Sequence, residues 1–187
     1  FLNKMFFKKK NKEIVELCIT LYSFIVKQAR TKEFYLNLKI PDTIDGRFEL
    51  IILHFFLLER TLDKEIKKDQ LIYKELLEIM YKDFDMSLRE IGVGDLSVGK
   101  KIYQMTEAFS GRLFAYRKLN NKKNFGSMGT VIKRNIYGTT QNIDSKYVEI
   151  VKSYIIDSME YIDKSSIYEV SENNSIFIDL NRYIINK

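Results

Sequence analysis

Apolar residues recur at helical spacing in six separate segments of this 187-residue chain. Between Ile14 and Ile25 they return every three or four positions, which places them on one face of a helix. This pattern predicts six helices, at about Lys12–Gln28, Thr43 or Asp45–Leu62, Asp69–Ile91, Ser97–Tyr116, Met128–Tyr137 and Ser145–Lys164. Asn11, Asp69 and Ser97 are residue types that cap helix N-termini, and Gly92 and Gly138 favour helix ends.

The second predicted helix is apolar nearly all round between Leu50 and Leu58. A helix without a polar face belongs in the middle of a fold, so we expect it at the centre of the core. The apolar run is too short for a membrane span, which needs about 20 apolar residues. Pro41 is the only proline, and it lies outside the predicted helices.

The C-terminal tail leaves two structures open. Ile167–Val170 and Ile176–Leu180 favour a small hairpin, whereas Ile176–Ile185 equally favours a short terminal helix. No internal repeat or change of composition divides the chain. We therefore predict an all-α protein in which residues 1–187 form a single globular domain of about six helices.

Candidate catalytic chemistry is sparse. His54 and Cys18 are the only residues of their types, so the chain alone offers no His/Cys metal cluster and no catalytic Cys/His pair. His54 lies in an apolar helix and is predicted to be a histidine of the core or its rim rather than a ligand or proton carrier. The glycine-containing segment at Gly92–Asp95 is not followed by the Lys-Ser/Thr of a phosphate-binding loop. The sequence predicts a protein that is not an enzyme and has no metal or cofactor.

Charge is distributed by segment in this chain of net charge +6. No Asp or Glu occurs between Ala108 and Ile143, whereas acidic residues outnumber basic ones afterwards. A basic docking face for RNA phosphates or an anionic membrane surface would use this segment. The alternative is a solvated surface. The basic residues concerned are Arg112, Arg117, Lys118, Lys122, Lys123, Lys133 and Arg134.

Small residues share one face of the fourth predicted helix, at Ala108, Gly111 and Ala115. Glycine inside a helix costs about 1 kcal/mol relative to alanine, so a compensating role is expected. Close approach of another helix would explain Gly111, and a binding groove is the alternative.

Three stretches of sequence resemble the ubiquinol–cytochrome c chaperone family. They are residues 40–50, with Asp-Gly-Arg-Phe-Glu, 86–101, with Leu-Arg-Glu-Ile-Gly-Val-Gly-Asp-Leu, and 105–112, with Glu-Ala-Phe-Ser-Gly-Arg. The resemblance runs from about residue 12 to residue 160 and does not include the tail at 165–187. Ser110 departs from the aromatic residue expected before Gly-Arg, which affects local packing only.

The resemblance implies a chaperone that binds newly made cytochrome b and assists assembly of ubiquinol–cytochrome c reductase, respiratory complex III. The short chain is more like a bacterial member, which implies the cytoplasm and the inner face of the membrane. A eukaryotic member would work in the mitochondrial matrix at the inner membrane. Ribosomes and anionic membranes are further partners to expect, and a partner subunit is not identified.

Charged residues within the family-like strings are the expected client- or partner-binding positions, together with Gly111. We expect some of these charges to pair and to hold the Gly92–Gly94 turn against the start of the second helix. Independent solvation is the alternative. The other function that remains open is an RNA- or ribosome-binding helical module using the basic face. The expected positions are Asp45, Arg47, Arg89, Glu90, Asp95, Gly111 and Arg112.

Overall fold

A computed structural model describes residues 2–119, 126–172 and 176–184, with side chains from residue 12 onward and none at 170–172. All regular structure within these ranges is helical. The helices are α1 (Leu2–Ala29), α2 (Lys32–Leu36), α3 (Ile44–Glu59), α4 (Lys67–Glu90), α5 (Asp95–Lys118), α6 (Met128–Asn135), α7 (Ser145–Ile162) and α8 (Ile167–Glu172), followed by a 3-10 turn at Leu180–Tyr183. None of these helices is long and apolar enough to cross a bilayer.

The six predicted helices correspond to α1 and α3 to α7, but three predicted N-caps are wrong. α1 begins at Leu2 and continues through Asn11, because no glycine or proline interrupts the preceding residues. α4 is capped at Ile66 and α5 at Gly94, so Asp69 and Ser97 fall in first turns. The Asp69 carboxylate instead accepts a hydrogen bond from the Asp63 amide at 2.8 Å.

The second predicted helix, α3, lies at the centre of the fold as expected. It packs against α1, α5 and α7, while α4 packs against α1 and α5, and α6 against α7. Every residue from Ile52 to Leu58 is buried. Phe56 stacks on Tyr116 of α5 with ring centroids 5.4 Å apart. Burial of this stretch of α3 on all sides therefore organises the positions of the other long helices.

The tail does not form a hairpin. Ile167–Glu172 is the short helix α8, which packs against α1, and the chain between Ile176 and Asp179 has no strand. The predicted terminal helix is reduced to the 3-10 turn at Leu180–Tyr183. Ile176, Phe177 and Leu180 nevertheless have buried side chains, so burial of these apolar residues holds the tail against the core.

Gly46 is required by the way the chain enters α3. Thr43 caps this helix, its hydroxyl accepting a hydrogen bond from the Gly46 amide at 3.1 Å. A Cβ at Gly46 would lie 1.9 Å from the carbonyl oxygen of Pro41. The glycine in the Asp-Gly-Arg string thus allows the Pro41 backbone to pass directly over the first turn of the helix.

Gly111 behaves differently, and the expected close approach of another helix is wrong. A Cβ at Gly111 would meet nothing within 4 Å, and the residue is exposed. Gly111 does not line the cavity of about 680 Å³ beside α5 or the neighbouring one of about 210 Å³. No contact within the described residues therefore offsets the helix-propensity cost of this glycine.

His54 is a core histidine, as predicted, and its two ring nitrogens have different partners. Nδ1 lies 2.7 Å from the carbonyl oxygen of Leu50 and must donate to it, while Nε2 lies 2.8 Å from the Tyr154 hydroxyl and accepts from it. The Tyr154 oxygen in turn accepts from the Gln28 amide at 3.0 Å. This network joins α1, α3 and α7, and burial lowers the pKa of His54 to about 4.

The two glycines predict opposite effects of adding a methyl group. Gly46→Ala should lower the free energy of unfolding by about 1–3 kcal/mol or more, because the methyl group meets backbone that cannot move aside easily. Gly111→Ala should raise it by about 0.5–1 kcal/mol, because alanine favours an exposed helix interior. Urea unfolding of both variants checks the pair, and a destabilised Gly111→Ala protein would contradict the open environment.

His54 predicts a loss of stability in weak acid. The pKa of a histidine in an unfolded chain is about 6.5, above the folded value of about 4. The contribution of His54 is therefore complete above pH 6.5 and is lost as pH falls to 4, by roughly 3 kcal/mol in all. His54→Gln removes this titration, so unfolding between pH 7 and 4 should be less pH-dependent in the variant. Equal slopes would show that His54 does not titrate in this range.

Candidate functional site

Two neighbouring cavities open where α3 begins. The larger, of about 680 Å³, lies between the start of α3, the middle of α5 and the end of α6, and we call it the polar pocket. The smaller, of about 210 Å³, lies between α3 and the end of α4, and we call it the apolar cleft. Both are lined by Ile44, Phe48, Leu88 and Met105, so the two cavities share a wall.

The polar pocket contains an ion pair between α3 and α5. Arg112 Nε donates to Glu49 Oε1 at 2.8 Å, and the Glu49 side chain is only 6% exposed. Burial raises the pKa of Glu49 to about 7, against the opposing effect of the Arg112 charge. Glu49 therefore carries a carboxylate that gains and loses its proton near neutral pH.

Hydrogen bonding in this pocket is incomplete. Glu49 Oε2, the Asn135 Nδ2 amide and the Tyr116 hydroxyl are buried and make no hydrogen bond of ordinary geometry within the described residues, although Tyr116 lies beside both Glu49 and Asn135. The Asn135 oxygen accepts from Arg134 Nε at 3.2 Å, so only the amide nitrogen lacks a partner. Unpaired buried polar groups are costly and uncommon in folded proteins, and two of them line a single pocket here.

A second ion pair between the same two helices is fully satisfied. Arg117 Nε and Nη2 donate to the two oxygens of Glu59 at 2.7 and 2.5 Å, and Nη2 also lies 3.3 Å from the Tyr73 hydroxyl. Hydrogen bonding with Glu59 raises the pKa of Arg117. This arginine joins α3, α4 and α5, so it has a structural contact that the prediction of a basic docking face did not include.

The apolar cleft has an apolar floor and a charged rim. Phe48 and Phe84 pack edge to face at 5.3 Å beneath it. Ile44 and Ile91 line it and are 51% and 54% exposed, which is high for such large apolar side chains. The charged lining residues are Arg30, Arg47, Asp83 and Glu90.

The charges of the family-like strings pair as expected across the turn but not with the start of α3. Arg47 bonds Asp42 at 2.7 Å and not Glu90, although Arg47 and Glu90 both line the apolar cleft. Arg89 bonds Asp85 at 2.7 Å and also contacts Asp95, so it bridges the two sides of the turn between α4 and α5.

Pairing across this turn is therefore present, whereas the expected tie to the start of α3 is not made by these ion pairs. Gly92 has the positive φ of 85° that the turn needs. Asp45 lines the polar pocket.

The basic segment divides into paired and exposed residues. Arg112 and Arg117 are held by glutamates of α3, whereas Lys133 and Arg134 are exposed at the end of α6. Lys118 lies over the Phe114 ring at 4.3 Å. Lys122 and Lys123 lie outside the described residues. The structure therefore brings Arg112 and Arg134 together at the polar pocket and gives Arg117 a different environment.

Several residues of the site were missed from the sequence. Glu49 and Asn135 are the main ones, with Lys101 and Ile44 on the walls. Glutamates at positions 49 and 59 bound an otherwise apolar helix, and arginines stand at 112 and 117 in α5. That pattern was the available signal, because charges on a buried helix need partners from elsewhere. Within the described residues, no group of three or more His, Cys, Asp or Glu could hold a metal ion.

Arg117 and Lys133 predict different stability effects. Arg117→Met should lower the free energy of unfolding by about 1–3 kcal/mol, because the nearly buried Glu59 carboxylate loses both donors. Lys133→Met removes an exposed charge and should change it by less than about 0.5 kcal/mol. Thermal or urea unfolding at pH 7 distinguishes the two. Equal effects would mean that the Glu59 pair contributes nothing specific.

Curated proteins similar to this chain include complex III assembly factors of eukaryotes. "Ubiquinol-cytochrome c reductase complex assembly factor 1" of Mus musculus is 21% identical over 145 residues, covering 78% of this chain and 48% of that protein. "Protein CBP3, mitochondrial" of Saccharomyces cerevisiae is 25% identical over 150 residues, covering 79% of this chain and 44% of that protein. The chain thus spans about half the length of these relatives.

A solved structure has the same fold. The crystal structure of the Cbp3 homolog from Brucella abortus matches with a TM-score of 0.82 and 25% sequence identity, covering 97% of this chain and 99% of that one. The family model described as ubiquinol-cytochrome C chaperone matches residues 36–177. It begins later than the resemblance seen in the sequence and extends beyond it through α8. The chain belongs to the ubiquinol–cytochrome c chaperone family.

Proposed function

We propose that this protein is a chaperone that binds newly made cytochrome b and assists assembly of ubiquinol–cytochrome c reductase. Family membership and the names of the relatives support this role. The observation that carries it is the apolar cleft, whose mouth exposes Ile44 and Ile91 beside a charged rim. Such a surface suits transient contact with apolar segments of a membrane protein.

The size of the cleft limits how a client binds. A volume of about 210 Å³ admits side chains but not a whole helix, whose diameter is about 10–12 Å. A client segment therefore lies across the mouth and inserts one apolar face. Met105 contributes a flexible apolar contact at the wall, which allows more than one side chain to fit, and Ile91 adds apolar surface at the mouth.

The charged rim makes this contact reversible. Arg47 and Glu90 line the cleft and are exposed to solvent, so a bound apolar segment stays near water on both sides. Partial burial gives a moderate affinity, which a chaperone needs in order to release its client. We propose that this work takes place at the inner face of a bacterial inner membrane, or at the mitochondrial inner membrane if the source is eukaryotic.

The alternative, an RNA- or ribosome-binding module, has weaker support. The exposed residues Lys133 and Arg134 favour it. However, Glu49 and Glu59 neutralise Arg112 and Arg117, which reduces the positive charge available for phosphates. Binding to RNA would weaken steeply with salt, whereas binding of an apolar client segment would not.

Site-specific photo-crosslinking in cells tests the proposal. A photoreactive residue in place of Ile44 or Ile91 should capture cytochrome b, because both positions lie at the mouth of the cleft. The matched control is Ile19 of α1, which is equally exposed at 54% and lines neither cavity. Mass spectrometry identifies the captured protein. Equal capture from Ile19, or adducts with RNA alone from Ile44 and Ile91, would rule out the cleft as the client site.

A further inference from the structure

Two arginines on α5 form comparable ion pairs with α3, but they use their donors differently. Arg117 holds both oxygens of Glu59 and also reaches Tyr73. Arg112 holds Glu49 through Nε alone, and its two Nη groups make no hydrogen bond to the described residues. The side chain of Arg112 is 34% exposed and lines the polar pocket. A forked pair of donors is therefore free to bind a planar anion such as a carboxylate.

The charges around Arg112 also favour an anion. Lys101 and Arg134 line the same pocket from α5 and α6, and both are exposed. The acidic lining residues are Asp45, which is exposed, and Glu49, which is already paired with Arg112. Three cations against two carboxylates leave an excess of positive charge in the pocket. Attraction by cations on several walls is what concentrates an anionic group.

The free donors of Arg112 indicate which kind of anion fits. Glu49 Oε2, the Asn135 Nδ2 amide and the Tyr116 hydroxyl are buried, and Tyr116 lies beside the other two, so these atoms are not open to a ligand. The pocket therefore offers the planar fork of Arg112, whose geometry matches the two oxygens of a carboxylate.

The shared wall between the cavities adds a second requirement. Ile44, Phe48, Leu88 and Met105 line both the polar pocket and the apolar cleft. The two cavities are therefore adjacent, so a segment with an apolar side chain in the cleft can also reach the polar pocket at the start of α3. The carboxylate and the apolar residue must then be close together in the same peptide.

We infer that the polar pocket binds a carboxylate of a polypeptide segment whose neighbouring apolar side chain occupies the apolar cleft. Arg112 binds the carboxylate through its Nη groups, and Arg134 and Lys101 add attraction. The inference rests on the proposed function and deepens it. It gives the client segment an acidic residue, or a chain terminus, beside its apolar side chains.

Binding of two synthetic peptides tests this inference. One is an acetylated, amidated nonapeptide of serine, alanine and leucine with a single central glutamate, and the other has glutamine in its place. The glutamate peptide should bind the full chain about tenfold more tightly, as expected for loss of a charge-assisted contact. Calorimetry or fluorescence anisotropy at pH 7 measures both affinities.

Matched variants identify the side chains responsible. Arg112→Lys keeps a positive charge beside Glu49 but removes the fork, and it should abolish the preference for the glutamate peptide. Arg117→Lys makes the same change at the satisfied pair and should leave the preference intact. Arg134→Gln alters an exposed residue, so it tests the pocket in a folded protein even where Arg112→Lys unfolds. It should weaken the glutamate peptide several-fold and leave the glutamine peptide unchanged.

The pH dependence gives an independent test. Glu49 is faced by Arg112 and Tyr116 of α5, by Arg134 of α6 and by Asp45 of its own helix. Its pKa of about 7 means that lowering the pH from 8 to 6 neutralises it and releases Arg112 to the ligand, which stays ionised. The glutamate peptide should therefore bind more tightly at pH 6. Glu49→Gln should bind tightly throughout this range and lose the dependence.

Several results would overturn the inference. Equal affinity for the two peptides, or no binding of either, removes the carboxylate site. Inorganic phosphate that displaces the glutamate peptide at equal concentration would assign the pocket to phosphate instead. Capture of cytochrome b from Ile44 and Ile91 together with equal peptide affinities would leave the proposed function standing and reject only the carboxylate site. Failure of both experiments would reject both.

Discussion

Burial of the middle of α3, from Ile52 to Leu58, is the constraint on which the rest of the structure depends. From Glu49 to Glu59 this helix carries three polar side chains, Glu49, His54 and Glu59, among apolar residues. A buried polar group is costly unless it is hydrogen-bonded, so each needs a partner from another helix. Arg112 and Arg117 of α5 supply two partners, and Tyr154 of α7 supplies the third. These contacts fix the orientation of α5 and α7, which apolar packing alone specifies less closely.

The three contacts differ in how many of the polar atoms are paired, and the incomplete contact lies near the start of α3. His54 and Glu59 have partners for every polar atom that faces the protein, whereas Glu49 retains an oxygen without one. Glu49 is also the residue nearest to the start of α3, where the polar pocket and the apolar cleft meet. The middle and end of α3 are therefore structural, and its beginning has unused bonding capacity. A buried polar group without a partner needs an explanation, such as a bound ligand, water or ion.

The helices could be predicted from the sequence because their signal is local. Apolar residues at helical spacing, few breakers and the turn at Gly92 predicted all six long helices and the central position of α3. Helix N-termini were less predictable. α1 begins at Leu2, upstream of Asn11, because no glycine or proline interrupts the helix between them. The tail was ambiguous because short apolar runs suit a strand or a helix equally, and only burial against the core decides.

The candidate site was harder to predict because its contacts are distant in sequence. Glu49 lies 63 residues from Arg112, and Glu59 lies 58 residues from Arg117. A run without acidic residues therefore suggested a uniform basic face, although two of its arginines are neutralised by acids from α3. The charges were correctly identified as unusual, but their partners depend on which helices pack together. Net charge along a segment describes a surface only after tertiary ion pairs have been removed from the count.

The start of α3 combines rigid construction with an exposed apolar surface. Thr43 caps the helix, Gly46 lets the Pro41 backbone cross its first turn, and the Arg47–Asp42 pair joins the helix to the preceding connector. These contacts hold Ile44 more than half exposed, where a flexible loop would let it fold back onto the core. The Asp-Gly-Arg-Phe-Glu string therefore has two roles. Gly46 and Arg47 fix the backbone. Phe48 lines both cavities, and Glu49 lines the polar pocket.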